Sequence, residues 1–153
     1  MGFVQLQVNN RPPIPYLSAI IDEDGRPFVN FNQLMGALEL NLRFDAGLQS
    51  VLGVLPDGRT SFGLHLNRMR VELGEQTLVL DPLNILVYRQ DLYVVYAELS
   101  RWFPFTVTWR EDAVELSVVT DYVLPSEERR LRELRRAQAG TGQSQYTAAE
   151  LER

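Results

Sequence analysis

The tightest constraint on this chain is an apolar pattern that occurs twice at one fixed offset, the step that carries Phe28 to Tyr93. Its first occurrence runs through Ile20-Ile21, Phe28-Val29-Asn30-Phe31, Leu34, Ala37-Leu38, Leu40, Leu42 and Phe44. Ile85-Leu86, Tyr93-Val94-Val95-Tyr96, Leu99, Trp102-Phe103, Phe105, Val107 and Trp109 repeat it without a gap. Upstream, Val4–Val8 corresponds to Met69–Leu73. What recurs is apolar spacing and aromatic placement, with no polar constellation beside it. Two copies of one packing unit point to a scaffold or binding module before an active site.

Each copy reads as strand, strand, short strand, helix, strand, strand. Val4–Val8 alternates apolar and polar residues, and Asn9-Asn10 follows as a turn. Pro12-Pro13 and Pro15 force extended backbone, which suits an edge position and makes Val4–Val8 an edge strand by expectation. Asn32 is the expected cap of a helix over 33–40, and Asn41 its stop. Tyr96 or Ala97 opens the corresponding helix of the second copy, and Pro104 ends it. Turns at Pro56-Asp57-Gly58 and Gly74-Glu75 join further strands. The predicted class is α+β: two tandem ββ(β)αββ repeats with antiparallel sheets and short helices, followed by an arginine-rich helix. The first repeat is expected over 4–66 and the second over 67–122, packed as one globular body.

After Tyr122 the character changes. Leu124-Pro125-Ser126-Glu127-Glu128 is a helix start, with Ser126 as cap and two glutamates at the positive end of the dipole. Arg129, Arg130, Arg132, Arg135 and Arg136 outweigh Glu127, Glu128 and Glu133, leaving this stretch positive in an acidic chain of net charge −5. The arginine-rich helix is expected over 123–139. Gly140–Gln145 reads as a flexible linker within 140–153, and Thr147–Glu150 as the start of another helix, so a downstream region is expected.

Composition removes several chemistries. All 15 basic residues are arginine and there is no cysteine, which excludes lysine Schiff bases and thiol catalysis. The acidic balance argues against nucleic acid as a partner. His65, the one histidine, lies in an alternating strand without a second ligand or nucleophile beside it. Asp22-Glu23-Asp24 and Glu111-Asp112 are acidic turns lacking the ligand spacing of an EF-hand. Gly140-Thr141-Gly142 has no strand before it, as a phosphate loop would require. No catalytic, cofactor or metal residues are therefore assigned. The aromatics of the second copy are expected mainly in the core, with either Tyr93 and Val95 or Val94 and Tyr96 facing outward. The candidate partner-binding residues are Val4, Leu6 and Val8 along the edge strand, Tyr93 and Tyr96 on the sheet, and Arg129, Arg130, Arg132, Arg135 and Arg136.

Gly25-Arg26-Pro27-Phe28-Val29, Leu34-Met35-Gly36-Ala37-Leu38 and Leu42-Arg43-Phe44-Asp45 resemble the repeat of copper amine oxidase N-terminal-like domains. Gln90–Val94, Leu99–Phe103 and Val107-Thr108-Trp109 repeat that unit. The resemblance implies an accessory module of an exported bacterial protein, without copper or redox chemistry. Leu86–Val94, Leu99–Pro104, Tyr122–Pro125 and the arginine run resemble the periplasmic N-terminal region of usher-like outer-membrane proteins. That resemblance implies a periplasmic, non-enzymatic recruitment module preceding an outer-membrane β-barrel. Its partner would be a secreted subunit or a periplasmic chaperone. A module anchoring a larger exported protein to peptidoglycan or another glycan is the alternative.

Overall fold

The computed structural model of the protein describes residues 2–147, with side chains through 139. The chain divides into a strand-rich unit through Tyr122 and a helical unit from Val123. The first contains β1 (Gly2–Val8), β2 (Ile14–Ile21), β3 (Pro27–Asn30), α1 (Phe31–Ala37), β4 (Phe44–Asp45), β5 (Ser50–Val54) and β6 (Ser61–His65). It continues with β7 (Arg70–Leu73), β8 (Gln76–Val79), a 3-10 turn at Pro82–Asn84, β9 (Ile85–Tyr88), β10 (Asp91–Val95), α2 (Tyr96–Trp102), β11 (Phe105–Arg110) and β12 (Glu115–Thr120). The fold is α+β. A larger sheet has the order β11-β12-β1-β2-β3-β10-β9, and a smaller one β4-β5-β6-β7-β8. All pairings are antiparallel except β1 with β12.

The offset of the repeat carries α1 onto α2 and β3 into β10. The strands do not segregate by copy, however. β1, β2 and β3 share the larger sheet with β9 to β12, while β4 and β5 share the smaller one with β6, β7 and β8. Non-local pairing therefore interleaves the two occurrences of the pattern. β3 and β10 are buried on both faces, and their register places Val29 opposite Val94, which are equivalent positions of the repeat.

One face of the larger sheet buries Val4, Leu6, Val8, Leu17, Ala19, Val29, Leu92, Val94, Leu116 and Val118. Phe103 centres an aromatic cluster, 4.9 Å from Phe62 of the smaller sheet, 5.4 Å from Phe105 and 6.2 Å from Phe31. Ring pairs at such separations add about 0.5–1.5 kcal/mol each beyond their buried area. On the opposite face of the larger sheet Phe28, Tyr93 and Val95 form a smaller buried cluster with Ile20 against it.

The expectation of an edge strand at Val4–Val8 is corrected. β1 has β2 on one side and β12 on the other, and Val4, Leu6 and Val8 are 2%, 1% and 2% exposed. Pro12 and Pro13 lie in the β1–β2 connection. Pro15 falls where the β1–β2 register slips, a bulge at which a missing N–H is tolerated without an open edge.

Helix boundaries are also corrected. Asn30, rather than Asn32, caps α1, its side chain accepting the Gln33 N–H at 3.0 Å. Asn32 instead accepts the Phe44 N–H at 2.8 Å, tying β4 to the helix. Glu39, in the left-handed region at φ 58°, ends the helix before Asn41. The Leu40 N–H then reaches the Met35 carbonyl.

In the second unit, α3 (Pro125–Thr147) starts with proline in its first turn, where the missing N–H costs nothing. Helix covers 140–147, where a linker is expected. Propagation adds one hydrogen bond per residue, against about 1 kcal/mol for each glycine. The expected helix start at Thr147–Glu150 lies beyond the described residues.

The central position of β1 has a measurable consequence. Leu6→Ala should cost about 2–5 kcal/mol in urea unfolding, as truncation of a fully buried leucine does. Leu6→Pro should prevent folding, because it removes a ladder bond from a strand paired on both sides.

Candidate functional site

The candidate site is the end of the larger sheet at β9. Among the described residues β9 pairs with β10 alone, in the register Tyr88↔Asp91, Val87↔Leu92, Leu86↔Tyr93 and Ile85↔Val94. Arg89 and Gln90 form the connecting turn with φ of 50° and 69°. Both central residues are thus left-handed, as a type I′ hairpin turn requires. In such a two-residue hairpin the residues flanking the turn exchange both hydrogen bonds, and bonded and non-bonded pairs then alternate. Tyr88 and Leu86 therefore direct their N–H and C=O toward β10. Val87 and Ile85 direct theirs away from the sheet. The Ile85 N–H is taken by the Pro82 carbonyl of the preceding 3-10 turn. What faces outward along β9 is the Val87 N–H and C=O and the Ile85 C=O, with the Arg89 N–H beyond its end.

The side chains of this edge are apolar on both faces. Leu86 and Tyr88 are 38% and 40% exposed and extend the Phe28–Tyr93–Val95 cluster outward. Val87, 43% exposed, lies on the other face beside Leu92. The Arg89 guanidinium stacks over the Tyr88 ring at 5.2 Å. At the opposite edge, β11 presents Thr106, Thr108 and Arg110 on its exposed face. Natural sheets blunt their edges with charge, proline or covering segments, and β9 carries none of these within its span.

The residues singled out by sequence separate in the structure. Val4, Leu6 and Val8 are interior, for the reason given above. Tyr93 is buried at 2% and Tyr96 is half-buried at the start of α2, so neither of the two aromatic pairs forms an exposed patch. Both faces of β10 are covered, which alternation alone does not reveal. Arg129, Arg130, Arg132, Arg135 and Arg136 are exposed on α3, with Arg132 within 3.9 Å of Glu128. Sequence reasoning missed Ile85, Val87 and Tyr88. The available signal was an unbroken apolar run, Ile85-Leu86-Val87-Tyr88, which does not say where a strand stands in its sheet.

A second feature is a cleft of about 500 Å³, lined among others by Leu55, Pro56, Asp57, Arg101, Trp102 and Tyr122. Its polar wall is braced from inside. Glu98 is buried, pairs with Arg101 and accepts from Asn84 at 3.1 Å. Asn84 in turn accepts from Arg26, which is bound to Asp22 at 2.9 Å. Hydrogen bonds from the Thr60 hydroxyl, then from the Thr60 and Arg59 amides, hold the Asp57 carboxyl down at about 2. Burial, and secondarily Glu39, push the Tyr122 phenol well above its ordinary value, so it stays protonated and donates to the Leu38 carbonyl.

The acidic turn at Asp22 is occupied by its own backbone and Arg26, which hold its carboxyl below the usual range. His65 lies 3.3 Å from Glu72. Among the described residues no group of three or more metal-ligating side chains comes together. No described helix is long and apolar enough to cross a membrane. No protein-family model, curated protein or solved structure matches the chain.

Two outcomes follow from these charges. Arg101→Ala leaves the buried Glu98 carboxylate without its cation, but Arg101 is itself half exposed and Asn84 still donates to Glu98, so the change should cost about 1–3 kcal/mol in chemical denaturation. Adding Glu98→Gln to it should recover part of that loss. The Asp57 carboxyl lies below its unfolded value of 3.8, so its contribution is complete above 3.8 and fades as pH falls toward about 2. Asp57→Asn should flatten that part of the stability curve, followed by fluorescence across the same acid range.

Proposed function

We propose that this chain is a non-enzymatic recruitment module of an usher-like outer-membrane assembly system, receiving a partner strand at β9. The observation that carries the reading is the open β9 edge, with unspent backbone groups and apolar side chains on both sheet faces. The residues resembling the usher-type region, Leu86–Val94, are the β9–β10 hairpin itself. Strand addition draws its affinity from main-chain hydrogen bonds and its specificity from the side chains alternating beside them. Here Val87 supplies a donor and an acceptor, and Ile85 an acceptor. An incoming strand would meet Leu86 and Tyr88 on one face and Val87 on the other. Its own apolar residues would therefore occupy successive positions rather than alternate ones.

In this reading the partner is a secreted subunit or its periplasmic chaperone. The exposed arginines of α3 would carry the chain toward an outer-membrane barrel while interacting with anionic surfaces. Val87→Pro tests the mechanism cleanly. Proline removes only the outward N–H and leaves the bonds to β10 in place, as edge strands tolerate. Affinity capture from periplasmic extract, read by mass spectrometry, should recover small β-rich subunits or an immunoglobulin-like chaperone. Val87→Pro should weaken that capture about tenfold, the loss expected for one backbone bond whose acceptor is left unpaired. Undiminished capture would refute strand addition at β9.

The anchoring alternative draws on a different observation. Phe3 and Tyr16 are exposed and meet edge-to-face at 6.2 Å on the larger sheet. A sugar ring could stack on such an aromatic surface. Pull-down on peptidoglycan should then fall with Tyr16→Ala and be indifferent to Val87→Pro.

A further inference from the structure

We propose that β9 also pairs with β9 of a second copy of this chain, joining two larger sheets across a two-fold axis at Val87. This pairing uses the same edge as strand capture but does not depend on it.

The outward groups are self-complementary. In an antiparallel pair centred on Val87, this residue faces its own counterpart, and the two exchange both N–H···O=C bonds. Ile85 then faces Arg89 of the second copy. Ile85 offers only its carbonyl, because its N–H is spent on Pro82. The Arg89 N–H shares a trans peptide with the inward Tyr88 carbonyl, so it points outward and meets the Ile85 carbonyl of the second copy. Symmetry repeats the contact, so the donors and acceptors that β9 turns outward are matched without an orphan. Centring the pair on Leu86 instead sets Val87 against Ile85, where the missing donor halves the bonds.

The side chains agree with this register. Leu86 faces Tyr88 of the second copy, and Tyr88 faces its Leu86, on the face where the Phe28–Tyr93–Val95 cluster already ends in half-exposed apolar surface. Apolar pairs directly opposite each other across strands are stabilising, and like charges there are destabilising. No charged residue faces another of its kind, because Arg89 stands opposite Ile85. A two-fold contact of this sort is isologous and closes at two copies. The short edge makes it a weak and reversible association.

Capture and self-pairing would use the same Val87 groups and therefore exclude one another. Self-pairing leaves the edge covered until a better strand displaces the second copy.

The test is analytical ultracentrifugation of the full chain over a wide concentration range. The wild-type mass should rise toward that of two chains, and Val87→Pro should remain a single chain. Val87→Lys and Val87→Glu each set like charges across the axis and should stay single alone, whereas an equimolar mixture should regain the pair. Circular dichroism verifies folding, and the charge-swap pair decides the matter if the proline variant fails to fold. A wild-type chain that stays single at millimolar concentration overturns the proposal. Lysine and glutamate variants that each pair as well as the wild type overturn it too. Subunit capture by a strictly single-chain protein would sink self-pairing alone, and a Val87-centred pair without capture would sink the recruitment reading alone.

Discussion

The antiparallel contact of β3 with β10 is what the rest of the strand-rich unit depends on. It is three residue pairs long, Asn30↔Tyr93, Val29↔Val94 and Phe28↔Val95, and both strands are buried on both faces. Each strand runs directly into a helix, so the pairing also sets where α1 and α2 begin. α1 packs against β10 as well as its own β3, and α2 against β3 as well as its own β10. Because Val29 and Val94 are equivalent positions of the repeat, the contact has a local two-fold relation. Burying each of these valines contributes about 1.5–3 kcal/mol. The joint thus gives the repeated pattern a structural reason without making two separate repeat domains.

With that joint in place, the sheet extends unequally to its two ends. On one side β2, β1, β12 and β11 follow, the parallel β1–β12 pairing bringing residues 5–8 beside 115–118. On the other side, among the described residues, there is only β9, the hairpin partner of β10. β9 is consequently last, with its inner groups satisfied and its outer groups directed away from the protein. Its apolar composition then becomes a property of the surface instead of the core. This is the physical basis for reading the module as a receiver of strands.

Much of the local structure was legible. The turn at Pro56-Asp57-Gly58, the helix opening at Tyr96, its end before Pro104 and the helix through the arginine run all follow from short-range chemistry. The position of β1 was not, since prolines that suggest an edge stand in the β1–β2 connection and at a bulge. The partner that makes β1 central is β12, near the far end of the strand-rich unit. The helix cap moved from Asn32 to Asn30 because both asparagines suit the role and the tertiary bond to Phe44 claims one of them. Tyr93 read as a surface candidate because alternation cannot report that a strand is covered on both faces. β9 escaped notice for a related reason. Its turn, Arg89-Gln90, lacks the glycine or asparagine that usually marks a type I′ hairpin, so neither the hairpin nor its place at the end of the sheet is visible in the residues alone.

Whether the larger sheet ends at β9 with its outer ladder open is decided by residue-resolved amide hydrogen exchange in dilute solution. An open edge predicts slow exchange at Leu86 and Tyr88, whose N–H groups face β10, and fast exchange at Val87 between them. Addition of a bound strand should slow Val87 selectively. Protection of Val87 equal to that of its neighbours in the isolated single chain would mean that the edge is already covered, and strand capture at β9 would then have no free ladder to use.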